Sequence, residues 1–156
     1  ANGTARDDQK WEAGIVIGNA LVEKGDTDGA YARFKGVANA SKNGWGAEAK
    51  YQCAYVRHLQ KKYRDAEKEV FELAQRFPTY DHWKAKAFIL LGDVYVQLNV
   101  RFQARATLKS VVDHCTEPEL VAEAQRRLDD IERSEVQQSS GTPQDTMEVT
   151  IPGEDQ

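Results

Sequence analysis

The residue types that carry metal binding are sparse in this sequence and widely separated. Three histidines, His58, His82 and His114, lie far apart along the chain. His114 is followed directly by Cys115, but neighbouring residues on a helix point their side chains in different directions. Metal sites need several ligands that converge at short, defined spacings. We therefore expect packing or surface roles for these residues, and no metal site.

The sequence also lacks the signatures of nucleophilic and phosphate chemistry. It has no glycine-rich phosphate loop and no recognisable nucleophile motif. Asp129, Asp130 and Glu132 form a charged run of the kind that faces solvent on a helix. Cys53 lies in an apolar segment and Cys115 near the end of another, so we expect free thiols, the first of them buried. These observations predict a protein that is not an enzyme and has no cofactor.

Charge is distributed unevenly along the 156 residues. The net charge is −4, but five acids and no lysine or arginine follow residue 133, so the preceding part is close to neutral. A nucleic-acid surface requires a clustered basic stripe, and a bilayer-spanning helix requires about 20 consecutive apolar residues. The sequence has neither feature. We expect no nucleic-acid partner and no direct membrane insertion.

Small residues recur at two positions with a nearly constant period. The first set lies in apolar segments and consists of Gly18, Ala54 and Gly92. The second set follows twelve residues later in each case and consists of Ala30, Ala66 and Ala104. Successive alanines of the second set are 36 and 38 residues apart. Periods of about 20 to 50 residues are typical of solenoids, in which each repeat is one supersecondary unit.

The repeats define the organisation that we predict for the chain. Three segments are expected: a polar lead-in at 1–10, a repeat domain at 11–133 and an acidic, disordered tail at 134–156. The repeat domain contains helix pairs near 11–44, 47–80 and 85–118 and a capping helix at 118–133. Gly25 and Asn99 are suited to left-handed bends. Asp81 is a good N-cap residue, and Thr116 with Glu119 has the form of a capping box.

The whole pattern resembles the tetratricopeptide repeat. The third unit fits that pattern best, through Phe88, Leu91, Gly92, Tyr95, Ala104, Leu108 and Val111. The second unit departs most from it, with Lys50 at a position that is usually bulky and apolar. The resemblance covers about residues 11–133. It implies an all-α fold, a right-handed α-solenoid of three helix pairs with a C-terminal capping helix.

The segment from Lys84 to Glu132 is also similar to the last repeats of long tetratricopeptide proteins of the Bacteroidetes cell envelope. This second resemblance implies that the chain is a fragment of a longer protein. It also favours the periplasm or cell envelope over the cytoplasm as the location.

In tetratricopeptide proteins the first helix of each pair lines a concave groove. The groove residues that the resemblance implies here are Asn19, Tyr51, Gln52, Tyr55, His58, Lys86, Ile89 and Asp93. Their aromatic and aliphatic centre, flanked by charges, suits an extended or helical peptide, although Tyr51 and Tyr55 are equally consistent with simple packing. We do not expect the family's two-carboxylate clamp for chaperone tails, because Ile15, Gln52 and Leu90 occupy positions that need fixed donors.

The first helix is apolar on nearly all sides, and such a helix is normally buried on all sides. We therefore expect a preceding repeat or a second copy of the chain to cover it, through Trp11, Val16 and Leu21. Two functions stay open: binding of a protein or peptide partner in the groove, or a scaffold fragment whose main contact is a homodimer or upstream repeats. The acidic and apolar segment 147–151 is a further candidate to occupy the groove.

Overall fold

The computed structural model describes residues 4–141, and this part of the chain has an all-α fold. Within that range there is no β-strand, and seven helices follow one another in the chain. They are α1 (Thr4–Glu23), α2 (Thr27–Ala40), α3 (Gly44–Leu59), α4 (Tyr63–Arg76), α5 (Asp81–Gln97), α6 (Arg101–His114) and α7 (Pro118–Ser140). The all-α prediction is confirmed, and each predicted helix corresponds to one of these seven.

The structure differs from the sequence-based boundaries at both ends. α1 begins at Thr4 rather than Trp11, so most of the expected lead-in is helical. Asp7 lies in the first turn of α1, where its negative charge interacts favourably with the positive end of the helix dipole. The Asp8 carboxylate accepts a hydrogen bond from Asn43 at 3.2 Å. α7 continues to Ser140, so residues 134–140 of the expected disordered tail are helical. The rest of that tail, 142–156, lies outside the described residues.

The bends that follow α1, α3 and α5 have the same backbone geometry. Gly25, Lys61 and Asn99 have positive φ angles of 82°, 60° and 58°. Each bend closes with two backbone hydrogen bonds of the Schellman type. In the first bend, the amide of Gly25 donates to the Val22 carbonyl and the amide of Asp26 donates to the Leu21 carbonyl, both at 2.9 Å. The left-handed bend predicted at Asn99 is confirmed. Lys61 is unexpected there, because glycine and asparagine adopt this conformation far more readily than lysine does.

The helices form two layers. Along the chain α1, α3, α5 and α7 contact one another in succession, whereas α2, α4 and α6 each lie against the helices that precede and follow them in sequence. We call these the inner and the outer layer. Their buried side chains form two apolar clusters, which meet at α3: Cys53 belongs to the cluster with α1 and α2, and Ala54 to the cluster with α4 to α7.

The close approaches of α1 to α2 and of α5 to α6 depend on the recurring small residues. A Cβ atom at Gly18 would lie 2.4 Å from the Phe34 ring, and one at Gly92 would lie 2.6 Å from the Leu108 side chain. Both distances are shorter than real carbon contacts. The second set of small residues is fully buried, with zero exposure at Ala30, Ala66 and Ala104. Larger residues at these positions would force the paired helices apart.

A buried ionic cluster lies between α2, α3 and α4. The Lys50 ammonium lies 2.5 Å from carboxylate oxygens of both Glu69 and Glu72, and the Tyr31 hydroxyl donates to Glu69 at 2.6 Å. The Arg57 guanidinium stacks 3.6 Å above the Tyr31 ring. Lys50 is 6 % exposed and Glu69 is 8 % exposed. Lys50 is therefore buried among the helices by pairing with two carboxylates.

Two predicted helix caps are wrong. The predicted capping box of Thr116 and Glu119 does not form: α7 is capped at Glu117, without a side-chain cap hydrogen bond. The reason is Pro118, which is favoured at the first helical position and fixes the start of the helix there. Asp81 is the first residue of α5 rather than its cap, and Tyr80 occupies the cap position.

Candidate binding groove

A recess on the inner layer brings together most of the predicted groove residues. Tyr51, Tyr55 and His58 recur at spacings of four and three on α3, and Lys86, Ile89 and Asp93 recur similarly on α5, so each set lies on one helix face. The recess has a volume of about 110 Å³ and is lined by Tyr51, Tyr55, His58, Lys86, Ile89, Leu90, Asp93, Glu123 and Arg127. Ile89 and Leu90 are buried and form its apolar floor.

Two predicted groove residues do not line this recess. Asn19 is exposed on α1, the inner helix farthest along the chain from α7. Gln52 is half-buried on α3, next to Tyr51 in sequence and therefore on a different side of the helix.

A cation and two aromatic rings form the rim of the recess. The Tyr51 and Trp83 ring centroids are 5.7 Å apart with their planes inclined by 37°. The Lys86 ammonium lies 5.1 Å from the centroid of the first ring and 5.2 Å from that of the second. Within residues 4–141 no carboxylate lies within ion-pairing distance of Lys86. We call Tyr51, Trp83 and Lys86 the rim cluster.

The opposite wall of the recess is held by a salt-bridge network. The Arg127 Nε lies 3.0 Å from both carboxylate oxygens of Asp93, and its Nη1 lies 2.9 Å from Glu123. This network ties α7 to α5. It also gives both carboxylates an ion-pair partner, although the single charge of Arg127 offsets only one of the two negative charges.

Burial alters the ionisation of two groups around the groove. Burial, reinforced by the Glu123 carboxylate, raises the pKa of Tyr51 to about 12, so its phenol stays neutral at physiological pH. Burial also raises the pKa of Glu48, although the charges of Lys86 and His82 counteract it. The Nδ1 atom of His58, also in this groove, is buried and has no hydrogen-bond partner in the described structure.

Three residues of this site were missed from the sequence. Trp83 lies one turn before Lys86 on α5, and that spacing was the available signal for it. Glu123 and Arg127 are not among the predicted residues, because the sequence predicts only a capping role for α7. Their spacing of four beside the apolar stripe of α7 indicates a face that can reach the preceding inner helix.

The predicted self-association residues fall on two different surfaces. Val16 is 61 % exposed, and Ile17 beside it is 41 % exposed. Trp11 and Leu21 are half-buried and line a separate depression between α1 and α2, together with small residues of α2 such as Gly36. α1 therefore presents apolar side chains to solvent without the complete burial that its composition favours.

Two other kinds of functional feature are not found in residues 4–141. That range contains no cluster of three or more histidine, cysteine, aspartate or glutamate side chains able to hold a metal ion. Its helices are too short or too polar to cross a membrane. Comparison with known proteins adds no assignment, since no protein-family model and no curated protein matches the sequence.

Proposed function

We propose that this chain is a tetratricopeptide-like right-handed α-solenoid, formed by three helix pairs and a capping helix, α7. Three features support the proposal: the common Schellman bends, the small residues at the close approaches, and the layering of inner and outer helices. In a solenoid of this type the inner layer presents an extended concave surface. The recess between α3, α5 and α7 lies on that layer.

We further propose that the groove binds a peptide or protein segment without catalysis. The rim cluster is the observation that carries this proposal. Tyrosine and tryptophan dominate the binding energy of protein interfaces, because they combine a large rigid surface with a polar group. Lys86 adds a half-buried positive charge that acts on the Glu48 carboxylate but has no carboxylate within ion-pairing distance in the described range. The arrangement suits an apolar side chain that lies against the rings, next to an acidic group that pairs with Lys86.

The construction of the walls favours binding over chemistry. Asp93 and Glu123 are already bound by Arg127, so they form a fixed wall rather than a pair of reactive carboxylates. Ile89 and Leu90 are packed into the core. A preformed surface of this kind loses little conformational entropy when a ligand binds.

The test is selection of binding peptides from a display library, followed by measurement of affinity for defined variants. Trp83→Ala and Lys86→Glu should each weaken binding of a selected peptide by at least about 30-fold, which corresponds to about 2 kcal/mol. The matched controls are Phe102→Ala and Lys109→Glu, both on exposed positions of α6. Equal losses in the control and groove variants would contradict the groove proposal.

A second candidate function is a scaffold whose main contact is self-association or upstream repeats. The exposed Val16 and Ile17 on α1 favour it, since neighbouring exposed apolar residues often mark an interface. Light scattering over a concentration series should then show a dimer that Val16→Glu converts to a monomer and Phe102→Glu does not. A monomer at every concentration would reject self-association.

A further inference from the structure

We propose that the chain's own acidic segment, residues 142–156, occupies the inner groove and competes there with external ligands. This inference rests on the proposed function, because it assigns an occupant to the same groove. Three observations support it: the reach of the segment, its charge and its apolar pattern.

The reach follows from where α7 ends. Arg127 and Ser140 are thirteen residues apart on α7, which is about 20 Å at the helical rise. An extended chain covers about 3.3 Å per residue, so Met147 can return about 23 Å and lie level with Arg127. Lys86 is seven residues before Asp93 on α5, about 10 Å farther along the groove. Ile151 lies eleven residues after Ser140, so an extended chain of about 36 Å is long enough to bring it level with Lys86.

The charges of the segment complement the rim cluster. Residues 142–156 contain four acids and no lysine or arginine: Asp145, Glu148, Glu154 and Asp155. In the groove the wall carboxylates are bound by Arg127, whereas Lys86 has no ion pair in the described range. A carboxylate that enters the groove therefore meets Lys86 as the available cation.

The apolar residues of the segment have the spacing of one strand face. Met147, Val149 and Ile151 alternate with Glu148 and Thr150, and alternate side chains of an extended chain point to one side. One of the three can then lie on the Tyr51 and Trp83 rings and displace the Lys86 ammonium, which is free to pair with Glu148. Because the segment is joined to α7, it acts at a high effective concentration.

The experiment uses the full chain with Trp83 as the single tryptophan, through Trp11→Phe and Trp45→Phe. Both native cysteines are replaced by alanine, and Met147→Cys carries a short-range fluorescence quencher. We expect quenching of Trp83 that is independent of protein concentration. It should be lost in Lys86→Glu, retained in the control Lys109→Glu, and restored when Glu148→Lys is combined with Lys86→Glu.

Competition provides a second readout. In a Val149→Ser, Ile151→Ser variant the groove is open, so a library-selected peptide should bind more tightly, by about tenfold if the segment occupies nine of ten grooves in the parent chain. Absence of quenching, with unchanged peptide affinity, would reject the proposal. Quenching that rises with concentration would also reject it, and would indicate exchange between two copies.

These outcomes separate the inference from the proposed function. If a selected peptide binds through Trp83 and Lys86 while the quencher has no effect, the groove functions as proposed and the segment is not its occupant. If no peptide depends on those residues and no quenching occurs, both proposals are rejected.

Discussion

A single methyl group added at each of two glycines should change stability by different amounts. Gly18 and Gly36 are both helix-interior glycines, in α1 and α2. A Cβ atom at Gly18 would lie 2.4, 2.6 and 2.8 Å from three atoms of the Phe34 ring. At Gly36 nothing lies within 4 Å. The two Gly→Ala substitutions therefore differ in packing but share the same gain in helix propensity.

Because both substitutions gain the same helix propensity, the difference in their free energies of unfolding reports the packing cost at Gly18. Replacing glycine by alanine inside a helix stabilises by about 1 kcal/mol, so Gly36→Ala should raise the free energy of unfolding by that amount. At Gly18 the ring must shift by about 1 Å to restore ordinary contact, and Phe34 has no exposed surface into which it can move. Overpacking of this kind costs about 1–3 kcal/mol. The difference between the two variants should therefore be about 1–3 kcal/mol.

The assay is urea or thermal unfolding of both variants beside the parent chain. For a domain of this size 1 kcal/mol corresponds to about 2–4 °C in the melting temperature. A Gly18→Ala, Phe34→Leu double variant should be less destabilised than the two single effects together, because the smaller side chain relieves the overlap. Equal stabilisation by Gly18→Ala and Gly36→Ala would refute the close approach of α1 and α2.

Three further outcomes are expected. Ala104→Leu should destabilise by about 1–3 kcal/mol through overpacking between α5 and α6, measured by urea unfolding beside the parent chain. Glu48→Gln should stabilise the protein at pH 7. Burial raises the pKa of Glu48 above 4.5, so the protonated carboxyl stabilises the fold fully below pH 4.5. This stabilisation is lost as the pH rises through the pKa that Glu48 has in the folded state. The advantage in melting temperature should disappear at pH 4. A thiol reagent should modify the half-buried Cys115 in the native protein and Cys53 only on unfolding, because burial raises the pKa of the Cys53 thiol to about 12; native reaction in Cys115→Ser would contradict this.

Much of the fold was predictable because its causes are local in sequence. The apolar periodicity and the repeated small residues identified all seven helices, and Asn99 was recognised as a bend. The errors arose where neighbouring residues competed. Pro118 decided the start of α7 against the capping box at Thr116, and the left-handed bend at Lys61 carries no residue that signals it.

The candidate site was predictable only in part. The resemblance to the tetratricopeptide repeat implied Tyr51, Tyr55 and His58 as groove residues, and their spacings of four and three place them on one face of α3. Which side chains of a different helix meet them depends on how α5 and α7 are placed, and no local pattern contains that information. Trp83 and Arg127 were missed for this reason.

The sequence by itself determined that the chain is helical, that its elements recur, and which residues of one helix share a face. These properties depend on backbone propensity and on the helical repeat, which act within a few residues. Only the tertiary structure decided that Lys50 is buried in an ionic cluster, that Arg127 binds Asp93, and that Val16 remains exposed. Each of these depends on contacts between residues distant in sequence, whose geometry is fixed only when the helices pack.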